Sequence, residues 1–248
     1  MKTRDDNILE HIGRYHLSTR AVIEHLYFED KTCDHVIQRL LEERRIQSFP
    51  GLPGGLSYYQ LTLSEARRRG VPQHRTQPHH ASSLREALAV LWFCCMSGKK
   101  RKRIERRQLT KLFGRGKGFG HPHCAEETET ESVIYRIYAP GPNSRNDYRI
   151  RTLHEECKIA LAHPRLAEWV MAEAFRFALI VETPGRHQTM KELVELKGPW
   201  PVRIHLELVP DVGELAAQIR AFRQSQTTRA SSAPEDLVET QTRVGLTL

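Results

Sequence analysis

The first seventy residues follow an order of elements that few folds can accommodate. Apolar residues at helical spacing predict three helices, at 7–15, from Ser18 onward, and from Thr32 to about residue 45. Two short β-prone runs then flank the Pro/Gly-rich turn at 50–55, and a last short helix is expected at 65–69. This is the order of a winged helix, which places its third helix in the major groove of DNA and its hairpin, the wing, along the backbone.

The third predicted helix has a clear inward stripe, formed by Val36, Ile37, Leu40 and Leu41. Its outward and leading residues are therefore the candidate DNA contacts: Lys31, Thr32, His35, Gln38 and Arg39. Arg side chains pair with guanine and Gln side chains with adenine, whereas the residues that precede the helix usually meet phosphate. A solvated helix face with no partner is the alternative for each of these residues taken singly.

The wing carries no Lys or Arg at its tip, 51–56, so it is expected to add little electrostatic affinity. Arg67, Arg68 and Arg69, close by in the sequence, are the candidates to contact the backbone instead. A solvated helix end explains these three arginines equally well.

Positive charge is concentrated in one later segment. The whole chain has a formal net charge of +8, and residues 97–117 hold ten Lys/Arg against one Glu. A block this dense is typical of a surface that binds nucleic acid, although a solvated linker or a contact with an acidic partner is the alternative. The predicted phosphate contacts are Lys99, Lys100, Arg101, Lys102, Arg103, Arg106 and Arg107, on a helix with a polar face.

Taken as a whole, the sequence predicts an α+β protein. It has an N-terminal winged helix-turn-helix, a helical basic middle segment and a small C-terminal α/β domain. The expected divisions are a DNA-binding domain at 1–72, a polar linker at 73–83, a buried helix plus the basic segment at 84–120, an α/β domain at 121–223 and a disordered tail at 224–248. The apolar helix at 84–96 suits a core or a dimer interface, and a homodimer on paired half-sites is expected from precedent.

Three strands are expected in the C-terminal domain, at 133–138, 177–181 and 202–209. Helices are expected at 153–176, with an interruption near Pro164, and at 190–196 and 212–222. Strands that alternate with helices favour a mostly parallel sheet.

The enzyme alternatives are weak. A restriction-type nuclease uses Pro-Asp followed by Glu-x-Lys, but this chain has Glu195-Leu196-Lys197 before Pro210-Asp211, with Glu195 at a predicted helix end. The cluster His121, His123 and Cys124 lacks zinc-ligand spacing. The run GRGKGFG at 114–120 lacks the Lys-Ser/Thr of a phosphate loop. We therefore expect no catalytic residue, no metal and no cofactor.

Several runs together resemble a known family. They are Asn7–Ile12 (NILEHI), Leu17–Arg20 (LSTR), Val36–Leu40 (VIQRL), Gly54–Thr62 (GGLSYYQLT) and Ala66–Val71 (ARRRGV). They resemble the replication-relaxation family of bacterial plasmid and mobile-element proteins, over residues 4–72. The resemblance implies a winged-helix protein that binds double-stranded DNA in the replication or transfer of a mobile element, or in its transcriptional control. A generic winged-helix regulator has similar motifs, and a protein-binding adaptor built on the same fold is a further alternative.

Composition bears on location. No run of about 18 uncharged apolar residues is present, and the first residues, Met1-Lys2-Thr3-Arg4-Asp5-Asp6, lack the apolar core of a signal peptide. The five cysteines are irregularly spaced, which favours reduced thiols over a disulfide framework. The expected location is cytoplasmic, with no membrane partner.

Overall fold

The chain forms helices and strands in both of its halves, so it is a mixed α+β protein. A computed structural model describes residues 2–29, 31–114, 119–128, 131–139 and 145–209. In these ranges the helices are α1 (Arg4–Tyr15), α2 (Arg20–Tyr27), α3 (Asp34–Glu42), α4 (Leu63–Arg68), α5 (Ala81–Cys95), α6 (Arg106–Phe113), α7 (Asn146–Ala162), α8 (Pro164–Met171) and α9 (Pro184–Leu196). The strands are β1 (Ser18–Thr19), β2 (Ile46–Leu52), β3 (Leu56–Leu61), β4 (Arg101–Ile104), β5 (His123–Glu127), β6 (Ser132–Tyr138), β7 (Phe175–Val181) and β8 (Arg203–Leu208).

The N-terminal unit, α1 to α4, packs its four helices against a small antiparallel sheet. The sheet has the order β1-β3-β2, in which β2 and β3 form a hairpin and two-residue β1 pairs along the outer side of β3. Its core contains residues of α1, α2, α3 and the hairpin, including Ile8, Ile23, Ile37, Leu40 and Leu61. The helical spacing predicted Ile8, Ile37 and Leu40 to point inward. In α2 it predicted Leu26, which is exposed, and missed Ile23, which is buried.

Residues 73–83, predicted as a linker, lie against the hairpin. A short 3-10 helix occupies Gln73–Thr76, and Gln47 Nε2 donates to the carbonyl oxygen of Thr76 at 2.7 Å. The backbone N–H of His79 donates to Tyr58 Oη at 2.9 Å. Because these bonds fix the segment at Thr76 and at His79, it is not a free tether.

Helix α5 joins the two halves of the molecule. One cluster of buried residues unites Leu88 and Phe93 of α5 with Tyr15 and Tyr58 of the N-terminal unit and with Tyr135 of the second sheet. Each fully buried side chain of this size contributes about 1.5–3 kcal/mol. Of the two sequence interpretations of this helix, a core element and a dimer interface, the packing therefore matches the core element.

The second sheet has the order β4-β5-β6-β7-β8, with antiparallel pairs from β4 to β6 and parallel pairs from β6 to β8. One face packs on α5, and the opposite face packs on α6, α7, α8 and α9. The prediction of a mostly parallel sheet is wrong because β4 and β5 were missed. Both carry charged residues, and a sequence pattern cannot distinguish a short polar edge strand from a loop.

The prediction of a helix through the whole basic stretch is also wrong. Residues 101–104 form β4, and the helix begins only at Arg106. Glu105 caps it, since its side chain accepts from the backbone of Gln108 while the Gln108 side chain accepts from the backbone of Glu105.

In the C-terminal half, the helix expected at 153–176 is two helices that begin at Asn146 and end at Met171, and Arg176 lies in β7. The predicted helix at 212–222 and the predicted disordered tail at 224–248 lie outside the described residues.

Candidate nucleic-acid interface

The outward face of α3 is exposed as predicted. Val36, Ile37 and Leu40 point into the core of the N-terminal unit, and the next helical positions therefore face solvent. The exposed set is Lys31, Thr32, His35, Gln38 and Arg39, which includes every candidate that the sequence singled out in this segment.

The charges on this face are largely paired. Arg39 Nη2 lies 2.6 Å from Asp5 Oδ2, and Gln38 Nε2 donates to Glu42 Oε1 at 3.0 Å. Asp34 forms an ion pair with Arg20 of α2. The α3 face therefore offers groups that can read bases, but little uncompensated positive charge.

Arg67 and Arg68 lie exposed on α4. Arg68 donates through Nε and Nη2 to the two carboxylate oxygens of Glu65, at 3.0 and 2.7 Å, and Arg69 donates to the same carboxylate. Burial opposes ionisation of Glu65, but the bonds from Arg68 and Arg69 outweigh it and lower the pKa of Glu65. Arg67 is the one member of this pair without such a partner in the described ranges.

The basic stretch divides sharply in the folded chain. Arg101, on β4, is buried, with its guanidinium 2.6 Å from Glu126 and 2.8 Å from Glu207, and it lies 3.7 Å above the ring of Phe93. Arg101 therefore cannot reach a phosphate, and its assignment as a DNA contact is wrong. Lys99, Lys100 and Lys102 are exposed, so their side chains are accessible to a phosphate.

Arg103 lies two residues along the same strand, and so on the same face as Arg101, but it has different surroundings. Its Nη1 donates to the backbone carbonyl of Tyr15 at 3.1 Å, and its own backbone N–H donates to Tyr15 Oη. Burial, followed by the neighbouring charge of Arg75, lowers the pKa of Arg103 to about 10. No carboxylate in the described ranges forms an ion pair with Arg103.

A cleft of about 1170 Å³ opens beside Arg103, between the N-terminal unit and α6. Its walls come from α1, the end of α4, the segment at 70–79, α5, β4 and α6. The basic side chains that line it are Arg14, Arg69, Arg75, Arg103, Arg106, Arg107 and Lys111, and the acidic ones are Glu10, Glu86 and Glu105.

Most of the positive charge in this cleft is uncompensated. Arg14 pairs with Glu10, and Arg69 pairs with Glu65 and Asp6. The other five form no ion pair with any residue that the structure describes: Arg75, Arg103, Arg106, Arg107 and Lys111. Because seven basic side chains line the cleft against three acidic ones, it favours anions.

Three of the cleft cations were missed as site residues: Arg14, Arg75 and Lys111. Lys111 belongs to the basic block and could have been included. No local sequence pattern marks Arg14 or Arg75 as a binding residue. Arg14 lies on a helix with acidic neighbours, and Arg75 lies in the predicted linker.

The structure gives no support to a metal centre. His123 packs against Arg136 and Phe175 on one face of the sheet, while the adjacent Cys124 points into the cluster on the opposite face, as neighbouring strand residues must. No group of three His, Cys, Asp or Glu side chains in the described ranges is arranged to hold a metal ion.

Nor do the described parts of the nuclease pattern form a site. Glu195 and Lys197 are exposed at the end of α9 rather than on a strand. Pro210 and Asp211, like most of the glycine-rich run at 114–120, lie outside the described residues.

All five cysteines are free thiols. Within the described ranges, no helix combines the length and the apolar character that crossing a membrane requires.

Comparisons with protein-family models, curated proteins and solved structures give no match to this chain.

Proposed function

We propose that this protein binds double-stranded DNA, with α3 in the major groove and the basic cleft against the phosphate backbone. The observation that carries the proposal is the convergence of five cations without ion-pair partners on one cleft, from segments as distant as Arg75 and Lys111. Unpaired cations retain their full attraction for phosphate, and phosphate neutralisation supplies most of the affinity of non-specific DNA binding.

The N-terminal unit supports the first half of the proposal. Three helices, an antiparallel hairpin whose inner strand also pairs with β1, and the exposed third helix are the features of a winged helix. Gln38 and Arg39 lie on the exposed side of that third helix, where their planar polar groups suit base edges.

Helix α1 adjoins both surfaces. Asp5, near its start, pairs with Arg39 of α3, and Arg14, near its end, lines the cleft. Nine residues of helix separate them, which is about 14 Å. Because nine positions turn an α-helix by about 900°, the two side chains leave α1 on opposite sides, and a duplex that meets both surfaces has to bend around the N-terminal unit.

The proposed context is the replication or transfer of a plasmid or mobile element, or its transcriptional control. The resemblance of residues 4–72 to the replication-relaxation family supports this context. Binding as a homodimer to paired half-sites belongs to the same proposal, and the spacing of a DNA footprint tests it, since half-sites would lie about one helical turn apart.

The experiment is a titration of duplex DNA by fluorescence anisotropy at several salt concentrations. The variant R106Q/R107Q removes two charges from the cleft, and K99Q/K100Q is its control, because it removes two exposed charges of the same block from outside the cleft. We expect R106Q/R107Q to reduce the log–log salt slope by about 1.8, since each phosphate contact contributes about 0.9. The control should change the slope less.

Two outcomes would replace the proposal. If no duplex or single strand binds at low salt, the adaptor alternative is favoured. If plasmid DNA is nicked in Mg²⁺ and not in its absence, the nuclease alternative is favoured.

A further inference from the structure

Four nitrogen-bearing side chains meet in the cleft at the junction of the two halves. His16 directly follows α1, Arg75 lies in the 3-10 helix, His79 precedes α5 and Arg103 lies on β4. His16 adopts a left-handed backbone conformation, with φ of 70°, and Gln60 Nε2 donates to its carbonyl oxygen at 3.0 Å. Four separate elements therefore bring cationic and imidazole groups together at one place.

Three buried polar atoms of these side chains lack a hydrogen-bond partner among the described residues. His16 Nε2, Arg75 Nε and His79 Nε2 are buried and make no hydrogen bond with any described residue. Nearly all buried polar atoms in folded proteins are hydrogen-bonded, so three exceptions in one cluster require an explanation. A bound ligand with several acceptor oxygens supplies one.

The groups also act on one another as like charges. After burial, the charges of Arg103 and Arg75 are the next causes that lower the pKa of His16. Glu86 and Glu105 line the same cleft and act electrostatically on Arg103 and Arg75, respectively, but neither forms an ion pair with them. The cluster therefore keeps an excess of positive charge that an anion from outside would neutralise.

Two arginines that are buried elsewhere in the protein have structural roles and serve as a comparison. Arg101 has two carboxylates and a backbone carbonyl, and Arg136 has Glu156 at 2.6 Å. Arg75 has no such partner, and its guanidinium makes no hydrogen bond with the described residues. A stabilising role therefore accounts for Arg101 and Arg136 but not for Arg75.

We propose that His16, Arg75, His79 and Arg103 form a binding site for one phosphate group. Two guanidinium groups can each present paired N–H donors to a tetrahedral oxyanion, and two imidazoles add single donors. The identity of the molecule that bears this phosphate rests on the proposed function: we take it to be the DNA backbone.

The site is tested with inorganic phosphate and the full chain, by calorimetry and by the melting temperature. Chloride at equal ionic strength is the reference, because phosphate also stabilises proteins by exclusion from their surface. We expect saturable phosphate binding that R75Q weakens by about tenfold or more, since a charge-assisted bond is lost. R107Q, which removes an equal charge elsewhere in the cleft, should retain most of the binding.

R75Q is the main variant because its side chain has no described partner to lose, so the fold should tolerate the change. R103Q is the second variant, and its melting temperature without phosphate shows whether loss of the bond to Tyr15 has unfolded it. If phosphate does not bind, or if R75Q and R107Q weaken binding equally, the site is disproved and the attraction is that of the cleft as a whole.

Duplex DNA then separates the two sources of phosphate. If phosphate competes with the duplex and R75Q weakens both ligands, the backbone is the ligand. If phosphate binds but R75Q leaves duplex affinity unchanged, the assignment to DNA is overturned, and the site takes a small phosphate-bearing molecule. If duplex binding fails while phosphate still binds, the proposed function is wrong and the site stands.

Discussion

The outward face of α3 and the walls of the cleft are both polar surfaces, but they differ in how their charges are matched. On α3, Arg39 lies against Asp5 and Gln38 against Glu42. In the cleft, Arg75, Arg103 and Lys111 form no ion pair with any carboxylate that the structure describes. The α3 face therefore has polar groups suited to discriminating between ligands, and the cleft has the unpaired charge that attracts anionic ones.

The difference teaches that pairing, rather than the number of charges, determines how strongly a surface attracts an anion. Two opposite charges in contact largely cancel at a distance, so a paired arginine adds little to the long-range field. Arg101 is the extreme case, because it belongs to the densest basic block yet is matched by Glu126 and Glu207.

The largest expected effect follows from replacing Arg101. R101M leaves Glu126 and Glu207 in a buried site without their cation, which typically costs about 3–5 kcal/mol of unfolding free energy. Urea unfolding measures it. K102M, at an exposed position of the same strand, is the control and should stay within about 0.5 kcal/mol. A stable R101M that had lost DNA affinity would instead mean that Arg101 belongs with the cleft cations.

The next effect is the dependence of the unfolding free energy on pH. It has to be measured before DNA binding by the two surfaces is compared at different pH values. Burial, followed by Arg14, lowers the pKa of His11 to about 3, and burial, followed by Arg136, lowers that of His123 to about 3. The unfolded chain takes up protons on these groups below about pH 6.5, whereas the folded chain does not. Stability should therefore be full above that pH and fall as the pH decreases towards 3.

The expected loss between pH 7.5 and 5 is about 2 kcal/mol for each histidine. Urea unfolding at both pH values measures it, and H123Q should make the loss smaller. H80Q, at an exposed position, should leave the loss unchanged. An equal loss in wild type and in H123Q would exclude His123 as a source of the pH dependence.

A smaller effect separates the two surfaces directly. Q38A should reduce the preference for a selected DNA sequence by about 1 kcal/mol, near the low end for a base contact, because Gln38 must first give up its bond to Glu42. Binding to selected and scrambled duplexes measures this preference. The salt slope should not change. A Q38A variant that lowered the slope without altering preference would reverse the roles given to α3 and the cleft.

The smallest effect concerns the ion pair that neutralises α3. D5N removes the nearer of two carboxylates beside Arg39, whose Nε also lies 3.8 Å from Glu43 Oε1, and should change the unfolding free energy by less than about 1 kcal/mol, since Arg39 is exposed. Releasing Arg39 should slightly strengthen binding to any duplex at low salt. D147N, on α7 and away from both surfaces, serves as a control. Weaker binding in D5N would mean that Asp5 holds Arg39 in the geometry that DNA requires.

Much of the N-terminal unit was predictable because its signals are local. The stripe of Val36, Ile37 and Leu40 both defines α3 and leaves Gln38 and Arg39 outward, and the turn at 50–55 requires a hairpin. In the second half, strands β6, β7 and β8 were predictable from their apolar runs. Strands β4 and β5 were not, since their charged side chains find partners only in the folded sheet.

The sequence by itself determined the periodicities that form α3 and the apolar strands, and it determined that positive charge is concentrated at 97–117. Only the tertiary structure decided which of these charges act outward. Arg101 and Arg103 are equivalent in the sequence, two residues apart on one strand, but Glu207 reaches the first and Arg75 approaches the second. Electrostatic pairing depends on distance in space, and residues far apart in the chain set that distance.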